Sequence, residues 1–429
     1  MDAPLRALLE GLFRTAVAAA HPSTFLPPLL PPPPKGRLIL LAAGKAAGSM
    51  AEVAEARYLD NLRIAAERLS GVAVARHGYG RHLRRVRMIE AGHPIPDQAG
   101  LEGAERALSL ADGAGADDLV LVLMSGGASA NWVAPADGVT FADKQAVTRA
   151  LLRSGAVIGE INAVRKHLSR IKGGRLARHA HPAKLLTIAI SDVPRDEPSA
   201  IGSGPTVPDP TTLADARALV AKYKLELPAH VISALADPRN ETPKSGDPVF
   251  ADTDFVLGAR PADSLRAAEA AARAAGFDVV SLGDRVEGEA REVAAAHGKL
   301  ARELRAQGKR AVILSGGELT VTIHGQGSGG PNQEYALALA IALAGMPAVA
   351  ALAADTDGTD GGVGQPTDPA GALMDGGTVA RAETLGLVPA AFLADNNSTA
   401  FFDALGDLLM TGPTFTNVND FRAIIVDRT

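Results

Sequence analysis

The feature that most constrains the fold of this chain is a repeated grammar. Short apolar runs end in Gly, Ser or Asp, and amphipathic helical patterns follow them. The clearest runs lie at 119–124, 185–190, 311–314 and 349–353. A shorter one lies at 38–42, with weaker ones at 71–75, 253–257 and 278–282. A strand that is apolar at every position has no solvated face, so helices must cover its sheet on both sides. The pattern predicts an α/β fold of two α/β/α domains with mostly parallel, Rossmann-like sheets. The stretch 237–248, rich in Asp, Pro, Asn and Ser, reads as a linker and gives domains of 1–240 and 241–429. Residues 2–20 read as a helix with Leu5, Leu8, Leu9, Leu12, Phe13 and Val17 on one face.

Composition narrows the function classes. Basic residues number 43 against 48 acidic ones, a net charge of −5, which argues against a dedicated nucleic-acid binder. There is no Cys, which excludes disulfides, thiol nucleophiles, Cys-ligated zinc and iron–sulfur clusters. No apolar stretch reaches the roughly 20 residues of a membrane span. Asp2, Arg6 and Glu10 interrupt the N-terminus against a signal peptide. The expectation is a soluble, cytoplasmic protein.

In open α/β sheets, ligands bind beyond the carboxyl ends of the strands. Run 119–124 leads into Ser125-Gly126-Gly127-Ala128-Ser129, and run 311–314 into Ser315-Gly316-Gly317-Glu318. Run 185–190 leads into Ser191-Asp192-Val193-Pro194-Arg195, and run 349–353 into Asp355-Thr356-Asp357-Gly358-Thr359-Asp360. Small residues let backbone N–H groups approach an anion, and Asp can hold a hydrated metal or accept a proton. Each Ser-Gly-Gly can also be a plain tight turn, and each acidic loop a solvated surface. Two of each in one chain favour a phosphate site. Asp355-x-Asp357-Gly358 begins like a calcium loop, but Gly361 and Gly362 interrupt the ligand pattern, which excludes an EF-hand.

Lys45 sits in Gly44-Lys45-Ala46-Ala47-Gly48 and is the only charge between Arg37 and Glu52. The segment is not a Walker A motif, yet a lone Lys in an apolar strand-to-helix turn suits contact with a phosphate or carboxylate. The run from Gly325 to Gly330 fits G-x-G-x-x-G and precedes Pro331, a good opening residue for a helix. As a dinucleotide fingerprint it is weak, because it lies late in the chain. Asn162, Arg165, Ser169 and Lys172 share one helical face, either a solvated basic face or a cationic wall for an anion. Gly92-His93-Pro94-Ile95-Pro96-Asp97 can place His93 near a site, but a structural turn is the favoured reading, and Trp132 reads as a core anchor.

Together these segments resemble the class II glycerate 2-kinase family, whose C-terminal part is the MOFRL domain. The resemblance rests on AAGKAAGSM from Ala42, GHPIPD from Gly92, MSGGASA from Met124 and INAVRKHLSRIKGGRLA from Ile161. It continues through SDVPRDEPSAIGSGPT from Ser191, LSGGE from Leu314, GGPNQE from Gly329 and AADTDGTDG from Ala353. It implies ATP- and Mg²⁺-dependent phosphorylation of D-glycerate at its 2-hydroxyl, in a two-domain enzyme with the active site in the cleft. It implies that Lys45 is catalytic, and Asp192, which matches the family Asp, is expected to be catalytic as well, accepting the proton of the attacking hydroxyl or helping to hold Mg²⁺. Within that reading, Ser125, Gly126, Gly127, Ser129, Asn162, Arg165, Lys172 and Arg195 are expected to bind substrate or phosphate. Ser315, Gly316, Gly317, Glu318, Gly329, Gly330 and Asn332 are expected at the nucleotide, and Asp355 and Asp357 at the metal. Many members carry Arg where this chain has Pro331, so either that Arg is dispensable in this branch or Arg165 or Arg195 supplies the charge. The expected partners are D-glycerate and ATP, with no nucleic acid or membrane, and the apolar helix faces permit a homodimer. An NAD(P)H-dependent hydroxypyruvate reductase is the alternative, and a non-catalytic sugar-acid or nucleotide sensor the third reading.

Overall fold

The computed structural model describes residues 1–362 and 364–428, the Pro194 side chain excepted. The chain divides into two compact units, Phe25–Gly258 and Met1–Thr24 with Ala259–Thr429.

The first unit is built on β1 (Leu38–Ala43), β2 (Leu69–Arg76), β3 (Val86–Ala91), β4 (Leu119–Met124), β5 (Lys184–Ile190) and β6 (Thr253–Ala259). Their spatial order is β3-β2-β1-β4-β5-β6. The pairings among β3, β2, β1, β4 and β5 are all parallel. Every residue of β1 and β4 is buried, as their uninterrupted apolar sequences require. The order reverses between β1 and β4, so the crevice outside their carboxyl ends is the topological switch point.

The second unit contains β7 (Asp278–Ser281), β8 (Gly288–Glu289), β9 (Ala311–Gly317), β10 (Leu319–Thr320), β11 (Val349–Asp355), β12 (Gly371–Asp375), β13 (Leu408–Leu409) and β14 (Asp420–Val426). Six of them form one sheet in the order β13-β12-β11-β14-β9-β7, while β8 and β10 pair separately. The α/β class holds in both units. The expected mostly parallel sheet holds in the first and is corrected in the second, whose six-stranded sheet has β7 and β9 parallel and its other described pairings antiparallel. The reason is that an all-apolar strand records burial on both faces but carries no mark of direction. β14 enters between β9 and β11 and runs against both.

The domain division also differs from the expected 1–240 and 241–429. Residues 237–248 are tied into the first unit rather than free. Asn240 Nδ2 donates to Ala234 O at 2.9 Å, and Thr242 Oγ1 donates to Asp209 Oδ2 at 3.1 Å. β6 then closes the edge of the first sheet. The N-terminal helix Ala3–Ala19 belongs to the second unit, because Leu9, Leu12, Phe13 and Ala16 pack with Leu265, Leu352 and Phe421.

Candidate active site

At the switch point of the first sheet, two turns interlock. β1 ends at Ala43, and Gly44-Lys45-Ala46 leads into the helix Ala47–Ala56. β4 ends at Met124, and Ser125-Gly126-Gly127 leads into the short helix Ala128–Asn131. Ser125 N donates to Ala43 O at 3.1 Å and Lys45 N to Gly126 O at 2.8 Å. Ala46 N donates to Ser125 Oγ at 2.9 Å. Gly44 has φ 114°, and a Cβ there would lie 2.4 Å from Ser125 O, so only glycine fits. Ser125 and Gly126 are thus buried parts of the turn that carries Lys45, whereas Lys45 and Gly127 are half-buried. Asp192 is half-buried at the carboxyl end of β5, so Lys45 and Asp192 follow the two strands that flank β4.

Beside this turn lies a group of cations. Arg165 Nη2 and Lys172 Nζ both donate to one carbonyl, Ser129 O, at 3.0 and 2.8 Å. Lys144 Nζ supports them from below, donating to Arg165 O at 2.6 Å and Leu168 O at 3.0 Å. Among the described residues no carboxylate pairs with Arg165, Lys172 or Lys144. Burial holds Lys172 well below the ordinary lysine value, and the charges of Arg165, Lys144 and Lys166 add to this. Burial likewise lowers Arg165 to about 10. Ser129 Oγ lies 2.7 Å from Ser203 Oγ, which donates to Asn162 Oδ1 at 3.3 Å. Three buried polar atoms next to this group, Asn131 Oδ1, Trp132 Nε1 and Arg165 Nε, have no hydrogen-bond partner among the described residues. Burial of such cations and polar atoms is costly, and an anion among them would offset that cost.

The structure brings Ser129, Asn162, Arg165 and Lys172 together with Lys144 and Ser203, but not on the expected helical face: the helix ends at His167, Lys172 comes from the turn beyond it, and Ser169 Oγ accepts from Ile171 N and Lys172 N. Arg195 is exposed with φ 65° and makes no hydrogen bond or ion pair to this group. His93, read as a turn residue, lies against Gly127. A Cβ on Gly127 would come 3.1 Å from His93 Cδ2 and 3.4 Å from Lys45 Cγ. The Gly92–Asp97 segment signalled this position only as the less favoured reading, since β3 was not among the expected strands.

The second unit treats its motifs differently. Ser315, Gly316 and Gly317 do not form a loop after the strand but remain within β9, paired with β14. Arg422 Nε donates to Ser315 Oγ at 3.2 Å and Arg422 Nη2 to Gly316 O at 2.6 Å. Gly316 N donates to Gly283 O at 2.9 Å. Glu318 follows, exposed. The glycine-rich segment is also occupied internally. His324 N and Gly325 N donate to Asn396 Oδ1, Gln326 N to Asp395 Oδ1 and Ser328 N to Asn397 Oδ1. A Cβ on Gly329 would lie 2.3 Å from Ser398 Oγ, and one on Gly330 2.3 Å from Asp360 O.

The helix Pro331–Ala342 does bind an anion at its N-terminus, but that anion is the protein's own. Asn332 N and Gln333 N donate to the Asp360 carboxylate at 3.0 and 2.8 Å, and both side-chain amides join them. Burial and nearby Asp420 push Asp360 up to about 7 against these donors. Asn332 Nδ2 also reaches Asp420 Oδ1 at 2.7 Å, and Arg422 Nη1 holds Asp420 Oδ2 at 2.8 Å. The loop after β11 is knotted on itself. Asp357 N donates to Asp355 Oδ1 at 2.9 Å, and Thr359 N to Asp357 Oδ1 at 2.8 Å. Asp357 and Asp360 are fully buried, not solvated, while Asp355 is half-buried. Among the described residues no three His, Asp or Glu side chains gather as a metal cage.

Comparison with known proteins agrees with this division of motifs. The profile of a domain of unknown function, DUF4147, matches residues 8–236, and that of the MOFRL family matches 311–420. A protein of Agrobacterium vitis, named provisionally as a hydroxypyruvate reductase, is 46% identical over 99% of this chain and 95% of its own length. The glycerate 2-kinase of Pyrococcus horikoshii is 40% identical over 91% of this chain and 88% of its own. The crystal structure of glycerate kinase from Thermotoga maritima superposes with a TM-score of 0.87 at 36% identity, covering 99% of this chain and 100% of that one. With the motifs in one order and likeness of this extent in both sequence and fold, the chain belongs to the class II glycerate 2-kinase family.

Proposed function

We propose that this protein transfers the γ-phosphoryl group of ATP to the 2-hydroxyl of D-glycerate, giving 2-phosphoglycerate and ADP. The observation that carries this reading is the pair of cations, Arg165 and Lys172, sharing one carbonyl without a carboxylate. A substrate carboxylate there would take charge-assisted hydrogen bonds and relieve the burial of both cations. Lys45, at the switch point, would neutralise charge developing on the transferred phosphoryl. Asp192 would orient the acceptor or help hold Mg²⁺. The carboxylates of Asp192, Asp355 and Asp357 are the hard oxygen donors that Mg²⁺ prefers. The lack of a three-ligand cage among the described residues suits an ion that arrives with nucleotide phosphates and keeps several waters. Bound with ATP, Mg²⁺ would offset phosphate charge. ATP as donor also argues for a cytoplasmic reaction.

On the nucleotide side, Asp355 and Glu318 are the candidates, since the Gly316 N–H and those of residues 324–326 and 328 are bonded within the protein. The same fact weighs against the reductase reading. Gly44-Lys45-Ala46 is no dinucleotide fingerprint, and the late G-x-G-x-x-G run is filled by Asp395, Asn396 and Asn397. The test is an assay with D-glycerate, ATP and Mg²⁺, with identification of the phosphoglycerate isomer, beside hydroxypyruvate with NADH or NADPH. 2-Phosphoglycerate without reductase activity supports the proposal. 3-Phosphoglycerate overturns the regiochemistry, and hydroxypyruvate reduction without ADP formation overturns the kinase.

A further inference from the structure

On the sequence reading Asp192 either holds Mg²⁺ or accepts the proton of the attacking hydroxyl. We propose that His93 is the group that takes it, at the Lys45–Gly127 turn. The inference rests on the kinase reading and on four observations.

The first is position. His93 follows β3 at the carboxyl edge of the sheet, and its ring lies over the turn that ends β4 at the switch point. A Cβ on Gly127 would stand 3.3 Å from His93 Nε2, 3.1 Å from Cδ2 and 3.4 Å from Lys45 Cγ. The imidazole and the stem of Lys45 therefore flank the same glycine, and that glycine has φ 86°. The absence of a side chain at 127 is what lets the ring approach the turn.

The second is fixation. Asn131 Nδ2 donates to Gly92 O at 3.3 Å, and Gln145 Nε2 donates to Pro96 O at 2.8 Å. Asp97 caps the helix Gln98–Asp112 through Gly100 N at 3.0 Å and meets His77 Nε2 at 2.9 Å. The segment that carries His93 is thus tied down on both sides, as a group that must meet a reacting atom requires.

The third is access, since His93 is half-buried rather than sealed in the core. The fourth is chemistry. An imidazole is the side chain best matched to proton transfer near neutrality. In the step, the 2-hydroxyl oxygen bonds to the γ-phosphorus while the bond from that phosphorus to the ADP oxygen breaks. The hydroxyl proton passes to Nε2 and is later released to water. Asp192 is then left for orientation or for Mg²⁺.

The test compares wild type with His93→Gln and His93→Asn over a range of pH, with folding checked by thermal melting and ATP affinity by calorimetry. Wild-type kinase activity is the control on the underlying reading: without it the kinase proposal fails, and the His93 role with it. Given active wild type, the expected result is a fall in kcat of about 100-fold or more in both variants. KM for D-glycerate should change little, and the acidic limb of the pH–rate profile should disappear. In His93→Gly, added imidazole should restore part of the activity. An unchanged pH profile with wild-type kcat overturns the role. So does a loss of activity that tracks loss of folding or of ATP affinity and that imidazole does not rescue.

Discussion

Ser125-Gly126-Gly127 and Ser315-Gly316-Gly317 are the same tripeptide after the same kind of apolar strand, and they end in opposite places. The first leaves a parallel strand at a switch point. No neighbouring strand continues beside it, so its backbone turns, locks the Lys45 turn and presents Gly127. The second stays within its strand because β14 runs antiparallel beside it as far as Asp420, opposite Gly317. Arg422, on that neighbour, takes Ser315 Oγ and Gly316 O. A strand end is a site only where the neighbouring strands also end.

The sharpest test of the first turn is Lys45→Ala. Turnover should fall by about 10³-fold or more with the melting temperature nearly unchanged. Near-normal turnover would leave the turn without its catalytic role.

The second turn should break by stability instead. Arg422→Met leaves Asp420 buried without its cation, and denaturant unfolding should show a loss of about 3–5 kcal/mol. A loss under 1 kcal/mol would mean that the Arg422 network does not hold β9 and β14 together.

Asp360 sharpens the same contrast through pH. Its folded value, about 7, lies above the ordinary 3.8. The folded chain therefore keeps a proton that the unfolded chain releases, and stability falls as pH rises from 4 through 7. The full shift corresponds to up to about 4 kcal/mol. In Asp360→Asn this part of the slope should vanish; an identical slope in wild type and variant would contradict it.

The smallest expected effect is a matched pair. Gly317 has φ 106°, and a Cβ there would lie 2.3 Å from Val286 O. Gly317→Ala should cost about 2–3 kcal/mol of stability and leave kcat intact. Gly127→Ala should cost about 1 kcal/mol of stability and reduce kcat/KM about tenfold by displacing His93. The reverse pattern would dissolve the distinction between the two turns.

Much of the first unit was legible in sequence. Lys45, Asp192 and Ser129 follow apolar strands, and helical spacing singled out Asn162, Arg165 and Lys172, although the helix ends at His167 and Lys172 arrives from the turn beyond it. His93 stayed undecided between site residue and turn residue, with the turn favoured, because the segment 92–97 looks the same in either case. Lys144 was not legible either, since an isolated Lys in the polar helix Phe141–Arg153 gives no hint that it is buried under Arg165. In the second unit, β12 and β14 were missed as strands. The acidic loop read as a metal site, with a solvated surface as the alternative, and neither reading foresaw that Asp360 is buried by the helix N-terminus that it caps.

The sequence by itself determined the α/β class, the family motifs and the residues that can carry charge to an anion. These depend on local pattern: apolar runs, glycine turns and helical spacing. Only the tertiary structure decided strand direction, the membership of the N-terminal helix, and which glycine-rich N–H groups remain open. Those outcomes depend on which distant segment arrives alongside. A buried donor is satisfied by whichever acceptor packs against it, whether β14, the turn at Asp395–Asn397 or Asp360.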